Sequence, residues 1–213
     1  MSILTEISEN MQKGKRKQVV ALVQQALEEG IPPQQILDEG LLSAMDVVGV
    51  KFRNNEVFVP EVLVAARAMN AGAEILKAHM SEGSASSRGK IVLGTVKGDL
   101  HDIGKNLVRM MFEGKGFEVI DLGVDVDPEK FVTTAIEEDC KIIACSALLT
   151  TTMPAIGDVV KAVEAAGIRD KVKIMIGGAP VTQEFCDSIG ADSYTKDAAS
   201  AAAAAVELME QLA

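Results

Sequence analysis

The sequence predicts an α/β protein in two parts, a bundle of four helices followed by a five-stranded parallel sheet. Three observations carry that expectation. Apolar residues recur at three- and four-residue spacing from Ile3 to Met80. A Ser/Gly-rich stretch, Ser81 to Gly89, then interrupts the pattern. From Lys90 onward, short continuous apolar runs alternate with helical segments to the end of the chain.

In the first part, Ile3 to Met11, Gln18 to Glu28, Gln34 to Val50 and Pro60 to Met80 read as amphipathic helices. Gly14, Gly30 with Pro32-Pro33, and Asn54-Asn55 punctuate them. Pro60 suits the first turn of the last helix, where a missing N–H removes no intrahelical bond. Short amphipathic helices bury their apolar stripes only against one another, so a bundle follows. The segment from Ser81 to Gly89 has the composition of a flexible linker, dividing the chain into domains 1–85 and 86–213.

In the second part, Ile91 to Val96 is a continuous apolar run of the kind that parallel strands show when both faces are covered. Phe117 to Leu122, Ile142 to Ala147, Val172 to Ile176 and Asp192 to Thr195 are the further strand candidates. Between them fall helical segments at Gly104 to Glu113, Pro128 to Glu138, Pro154 to Ala166 and Thr182 to Ile189. An alanine-rich helix, Ala198 to Leu212, closes the chain, with Val206, Leu208, Met209 and Leu212 giving it a packing face. Repeated β-α units at this spacing argue for an open, doubly wound, Rossmann-like (flavodoxin-like) sheet.

Composition excludes several functions. The net charge is −10, with eight basic and eleven acidic residues before Ser86 and thirteen against twenty from there on. Neither half offers the basic footprint a phosphate backbone needs, so no nucleic acid partner is expected. No uncharged run reaches the ~20 residues that span a bilayer. Met1 to Lys17 lacks the apolar stretch of a secretory signal, and the expected compartment is the cytoplasm. Cys140, Cys145 and Cys186 match no metal or redox spacing and read as reduced core residues.

The chemistry concentrates in one run, Gly98-Asp99-Leu100-His101-Asp102-Ile103-Gly104, which follows the first strand directly. His101 is one of two histidines in the chain. In open parallel sheets, ligands bind beyond the carboxyl ends of the strands. An imidazole there suits a transition metal such as cobalt, provided that its second nitrogen is held by a partner. Asp99 can supply that partner from the same turn, and Gly104 lets the next helix pass close to a bulky group.

Two further motifs follow: Ser146-Ala147-Leu148, with 41 residues between Gly104 and Ser146, and Gly177-Gly178, with 28 between Leu148 and Gly177. Taken singly each has a plainer reading, as a packed histidine, a strand-end hydroxyl and a βα turn. Their joint spacing is what defines a site.

With that spacing, D-x-H-x-x-G, S-x-L and G-G resemble the cobalamin-binding module of methionine synthase and the small corrinoid carrier proteins of anaerobic methyltransferase systems. The resemblance implies a bound cobalamin or related corrinoid, cycling between cob(I)alamin and methylcob(III)alamin, with its own base displaced and His101 as axial cobalt ligand. The nucleotide tail would enter a slot beside the sheet, kept open by small residues: Ala144, Ser146, Ala147, Gly177, Gly178 and Ala179 qualify. By the same resemblance Ser146 and Thr150 contact the displaced base, and Ala198, following Tyr194-Thr195-Lys196-Asp197, is a strand-end alanine near it. Methionine synthase extends its His–Asp pair with a serine six residues beyond the serine of S-x-L; here that position is Thr152, which keeps the hydroxyl on a β-branched side chain.

The first part adds to this. Met45 to Phe52 followed by Val57-Phe58-Val59-Pro60 resembles the helical cap that shields the cobalt-bound methyl group in methionine synthase. Phe58 is the residue expected to face the methyl, the plainer alternative being that it belongs to the bundle core. A cap excludes solvent from reactive Co(I) and must move aside for delivery and removal of the methyl.

No base or nucleophile for activating a methyl donor stands out elsewhere, so the chain is expected to carry methyl groups rather than to choose them. The expected partners are a substrate:corrinoid methyltransferase, for a methylamine, quaternary amine, methanol or methyl ether, a second methyltransferase acting on tetrahydrofolate or coenzyme M, and a reductive activase. A cobalamin-dependent regulator and the B12 subunit of a radical mutase are the alternatives. The first needs a basic DNA-binding helix and the second a substrate barrel, and neither is evident in the sequence.

Overall fold

The computed structural model describes residues 2–77, 79 and 88–212. The chain divides into two compact units, Met1–Ser87 with Gly114–Gly116, and Arg88–Glu113 with Phe117–Ala213. The linker expected at Ser81 to Gly89 falls largely outside the described residues, as does the 85/86 boundary. Among the described residues no helix is long and apolar enough to cross a membrane.

The first unit is helical. It contains α1 (Ile3–Gln12), α2 (Arg16–Glu28), a single turn α3 (Pro33–Gln35), α4 (Ser43–Arg53) and α5 (Val59–Lys77). Ser2 caps α1 by accepting the Thr5 N–H. Ile7 and Met11, Val19 and Val23, Met45 and Val48, and Val62, Ala66 and Met69 form its core, one stripe from each long helix. The rod expected from Gln34 to Val50 is not uniform, because Ile36–Leu42 is π-helical between α3 and α4. Ile36 and Leu41, five residues apart, are both buried, as an i→i+5 turn permits. Apolar spacing read at 3.6 residues per turn conceals such a widening.

The second unit is a five-stranded parallel sheet in the order β2-β1-β3-β4-β5. Its strands are β1 (Lys90–Thr95), β2 (Glu118–Asp121), β3 (Ile142–Ser146), β4 (Lys173–Gly177) and β5 (Ser193–Tyr194). The alternating helices are α6 (Ile103–Glu113), α7 (Pro128–Glu137), α8 (Pro154–Ala165), α9 (Gln183–Ile189) and α10 (Ala198–Glu210). Pro128 and Pro154 open α7 and α8, and Asp197 caps α10 by accepting the Ser200 N–H at 2.8 Å.

Strand alternation sorts the side chains onto two faces. Val92, Ile143, Cys145, Ile174 and Ile176 join Phe131, Val159 and Val163 of α7 and α8 in one buried cluster. The opposite face, with Leu93, Ala144 and Met175, lies under α6 and the alanine-rich α10. The three cysteines are buried and unpaired, as expected. Burial pushes the Cys140 thiol up to about 11 and the Cys145 thiol up to about 12, so neither is a thiolate nucleophile at neutral pH.

Candidate functional site

In the order 2-1-3-4-5 the strand order reverses between β1 and β3, the place where open parallel sheets bind their ligands. Parallel register aligns Thr95, Ser146 and Gly177 in one row across the carboxyl ends of β1, β3 and β4. Two motifs distant in sequence thus become neighbours.

Asp99 and His101 sit in the turn after β1. Asp99 is fully buried and its carboxylate is saturated with donors. Oδ1 accepts the His101 backbone N–H at 3.1 Å and the imidazole Nδ1 at 2.7 Å. Oδ2 accepts the Leu148 N–H at 2.7 Å, the Leu149 N–H at 3.4 Å and the Thr152 hydroxyl at 2.6 Å. Burial alone would raise the Asp99 pKa, but the bonds from Thr152, Leu148 and His101 outweigh it and hold the carboxyl well below its usual range. An ionised carboxylate only accepts, so Nδ1 is the donating nitrogen and Nε2 of a neutral ring keeps its lone pair. The His101 side chain is 50 % exposed, and Leu100 (71 %), Ile103 (81 %), Leu148 and Leu149 expose apolar surface on the same loops. The ring thus offers an accessible nitrogen within an apolar rim, an arrangement able to bind a metal.

The remaining expected residues separate into groups. Ser146 and Gly177 share the row above, and a Cβ added to Gly177 would meet the Thr195 carbonyl at 3.8 Å, an ordinary contact. A Cβ on Gly104, in the first turn of α6, would meet nothing within 4 Å. Gly178 is different. Its φ is +132°, and a Cβ there would lie 1.8 Å from the Ala147 carbonyl oxygen. Its glycine is demanded by backbone approach. Asp102 and Gly98 are exposed in the turn, and Ala179 lies exposed just past β4.

Leu148 enters the network through its backbone N–H rather than its side chain, and Thr150 is exposed on the same loop. Ala198 is buried at the start of α10, not at a strand end. Tyr194 ends β5. It pairs with Ile176 and packs on the α7–α8 side, on the face opposite Ser146 and Gly177, because strand side chains alternate. In the first unit, Phe58 is 62 % exposed, so it is not core; Val47, Val50, Val59 and Val64 are exposed as well.

Several supporting residues escaped the sequence reading. The buried Thr95 hydroxyl donates to the His101 carbonyl at 2.9 Å. A strand-end threonine just before the motif is the signal that could have found it. Lys105 is almost fully buried and donates to both Asp121 oxygens at 2.6 Å and to Asn106 Oδ1 at 3.1 Å, pinning the first turn of α6 to β2. Asp121 is held below its ordinary range because the Lys105 bond and the Gly123 N–H outweigh the effect of burial. Asp125, on the β2–α7 loop, accepts the Gly98 N–H at 2.9 Å. Such pairs depend on register and carry no local signature.

Among the described residues no cluster of three or more His, Cys, Asp or Glu could hold a metal ion. With a single imidazole on offer, a metal here must bring most of its own coordination sphere.

Comparison with known proteins fits that geometry. The profile of a B12 binding domain family matches residues 89–206, and a second B12 binding domain profile matches residues 3–77. Dimethylamine corrinoid protein 1 of Methanosarcina acetivorans is 47 % identical over 208 residues, covering 97 % of both chains. A chain in the crystal structure of the methanol:cobalamin methyltransferase complex MtaBC from Methanosarcina barkeri superposes with a TM-score of 0.89 at 31 % identity, over 98 % of this chain and 80 % of that one. A cobalamin-binding protein from Desulfitobacterium hafniense gives a TM-score of 0.80 at 31 % identity, over 99 % and 98 %.

Proposed function

The chain belongs to the corrinoid proteins of methyltransferase systems, and from that premise we propose that it carries a methyl group between a substrate-specific methyltransferase and a second one acting on tetrahydrofolate or coenzyme M. Its cofactor is a corrinoid. The residues suit such a group. A macrocycle would supply the metal ligands that the described residues do not offer, the apolar rim suits its face, and the open space beside Gly104 leaves room for its bulk. When bound, the corrinoid supplies a cobalt centre that can accept and release a methyl.

The observation that carries this reading is the chain His101 Nδ1–Asp99–Thr152. Asp99 fixes the ring orientation and leaves Nε2 as the atom that would bind cobalt. The hydroxyl of Thr152 and the N–H of Leu148 keep Asp99 charged and so able to hold the ring N–H. Ser146 and Gly177, side by side at the strand ends, would hold the cofactor's tail. Phe58 and the exposed valines of the helical unit act as cap, so the working domains are 1–85 and 86–213. The chain works in the cytoplasm with a reductive activase that restores oxidised cobalt.

Among donor classes, the naming of the 47 % identical relative for dimethylamine makes a methylated amine the first to try, ahead of quaternary amines, methanol and methyl ethers. Two measurements test the proposal. His101→Ala is expected to lose the base-off, histidine-on cobalamin spectrum, and an unchanged spectrum would reject the ligand assignment. Reduced holoprotein incubated with each donor and its cognate methyltransferase is expected to take up a methyl, and failure with every donor would reject the shuttle.

A further inference from the structure

We propose that Asp125, outside every motif in the sequence, is a positioning residue that sets the turn presenting His101. The proposal rests on the reading of His101 as the cobalt ligand.

Asp125 lies on the loop between β2 and α7 and grips the turn after β1 twice. Its Oδ1 accepts the Gly98 N–H at 2.9 Å, and its own N–H donates to the Asp99 carbonyl at 2.9 Å. Its φ is +54°, a left-handed conformation that aspartate tolerates but that costs a side-chain-bearing residue something. Glycine would adopt it freely, yet could not accept the Gly98 bond.

The turn needs an outside clamp, because Gly98, at φ +81°, has wide conformational freedom of its own. Neighbouring bonds bring the loop to the right place. Thr95 N–H donates to Gly123 O, Val126 N–H donates to Thr95 O, and Val96 and Val126 form an isolated parallel bridge. Asp99 is therefore held from two sides, its carboxylate by Leu148 and Thr152 and its backbone by Asp125. Lys97 lies 3.6 Å from Asp125 Oδ1 and 3.3 Å from Asp127 Oδ1, a solvent-exposed ion pair that adds little to the clamp.

The consequence is preorganisation. With the turn fixed, the imidazole meets cobalt in one orientation; with the clamp gone, Gly98 relaxes and the ring samples others. Loss of outer partners of this kind typically weakens metal binding on the order of ten-fold or more.

The test uses the full chain with its histidine labelled in the heavy nitrogen isotope, loaded with cob(II)alamin. The nitrogen splitting in its electron paramagnetic resonance spectrum reports whether a protein imidazole is axial. Cobalamin affinity, amide exchange at Gly98 in the cofactor-free protein, and thermal melting are followed in parallel.

Asp125→Asn keeps both the acceptor and the left-handed backbone, and should retain the signature. Asp125→Gly keeps only the backbone. It should lose part of the histidine-bound population, weaken cobalamin binding about ten-fold and speed exchange at Gly98 without lowering the melting temperature. Lys97→Met should behave as wild type.

A folded Asp125→Gly protein with unchanged splitting and affinity would overturn the proposal, as would Asn damage equal to Gly damage. A labelled-histidine signal that survives His101→Ala would overturn the ligand assignment itself, and this proposal with it.

Discussion

At the scale of single residues, the site is organised around one buried charge. Asp99 retains its charge in the interior because its donors more than offset the loss of water, and the shortest of those bonds, at 2.6 Å, comes from Thr152. Thr152→Val removes that donor while nearly preserving shape, and is expected to destabilise the cofactor-free protein by about 1–3 kcal/mol. The pH dependence follows from the sign of the shift. A folded-state pKa below the ordinary value gives stability that is fully present above the ordinary carboxylate range and is lost as pH falls through the folded value. Removing Thr152 moves the folded pKa upward, so acid unfolding should begin at higher pH in the variant. Circular dichroism across an acid titration reads this, and coincident transitions would contradict it. The Asp99–His101 contact was legible in the sequence because both ends lie in one turn. Thr152 was reachable only through the family resemblance, since 53 residues separate it from Asp99.

At the scale of elements, two glycines of the motifs differ in kind. Gly178 is held at φ +132° against the Ala147 carbonyl, so Gly178→Ala should cost more than about 3 kcal/mol from strain and overlap. Gly104 has open space around its Cα and no unusual φ, so Gly104→Ala should leave stability unchanged or raise it by less than about 1 kcal/mol. The same variant should weaken corrinoid binding, because only a ligand would meet the added methyl. Urea denaturation without cofactor, paired with cobalamin titration, separates the two cases; a Gly104→Ala protein with normal affinity would remove Gly104 from the site. Strands and helices of the second unit were legible because buried parallel strands and amphipathic helices have different periods. The π-helical Ile36–Leu42 was not, since hydrogen-bond register within a helix leaves almost no trace in apolar spacing.

At the scale of the whole molecule, cofactor binding should be visible as stability. A ligand that binds only the folded state at about a hundred times its Kd adds about 2.7 kcal/mol. Thermal melting with and without hydroxocobalamin should show that gain in the wild type and a smaller one in His101→Ala. The cofactor-free variant should itself melt somewhat lower, because buried Asp99 loses one of its donors, so each gain is read against the same protein's cofactor-free melt. Equal gains would mean that the axial bond adds nothing to binding. The sequence by itself determined the class of fold, the order of its elements and the His101–Asp99 pair, because periodicity, turn chemistry and contacts within one turn are local. Only the tertiary structure decided the rest. Parallel register set Thr95, Ser146 and Gly177 in one row, turned Tyr194 to the other face, buried Lys105 on Asp121 and brought Asp125 against Gly98. Those contacts depend on how strands align across the sheet, and that alignment is a property of the packed chain as a whole.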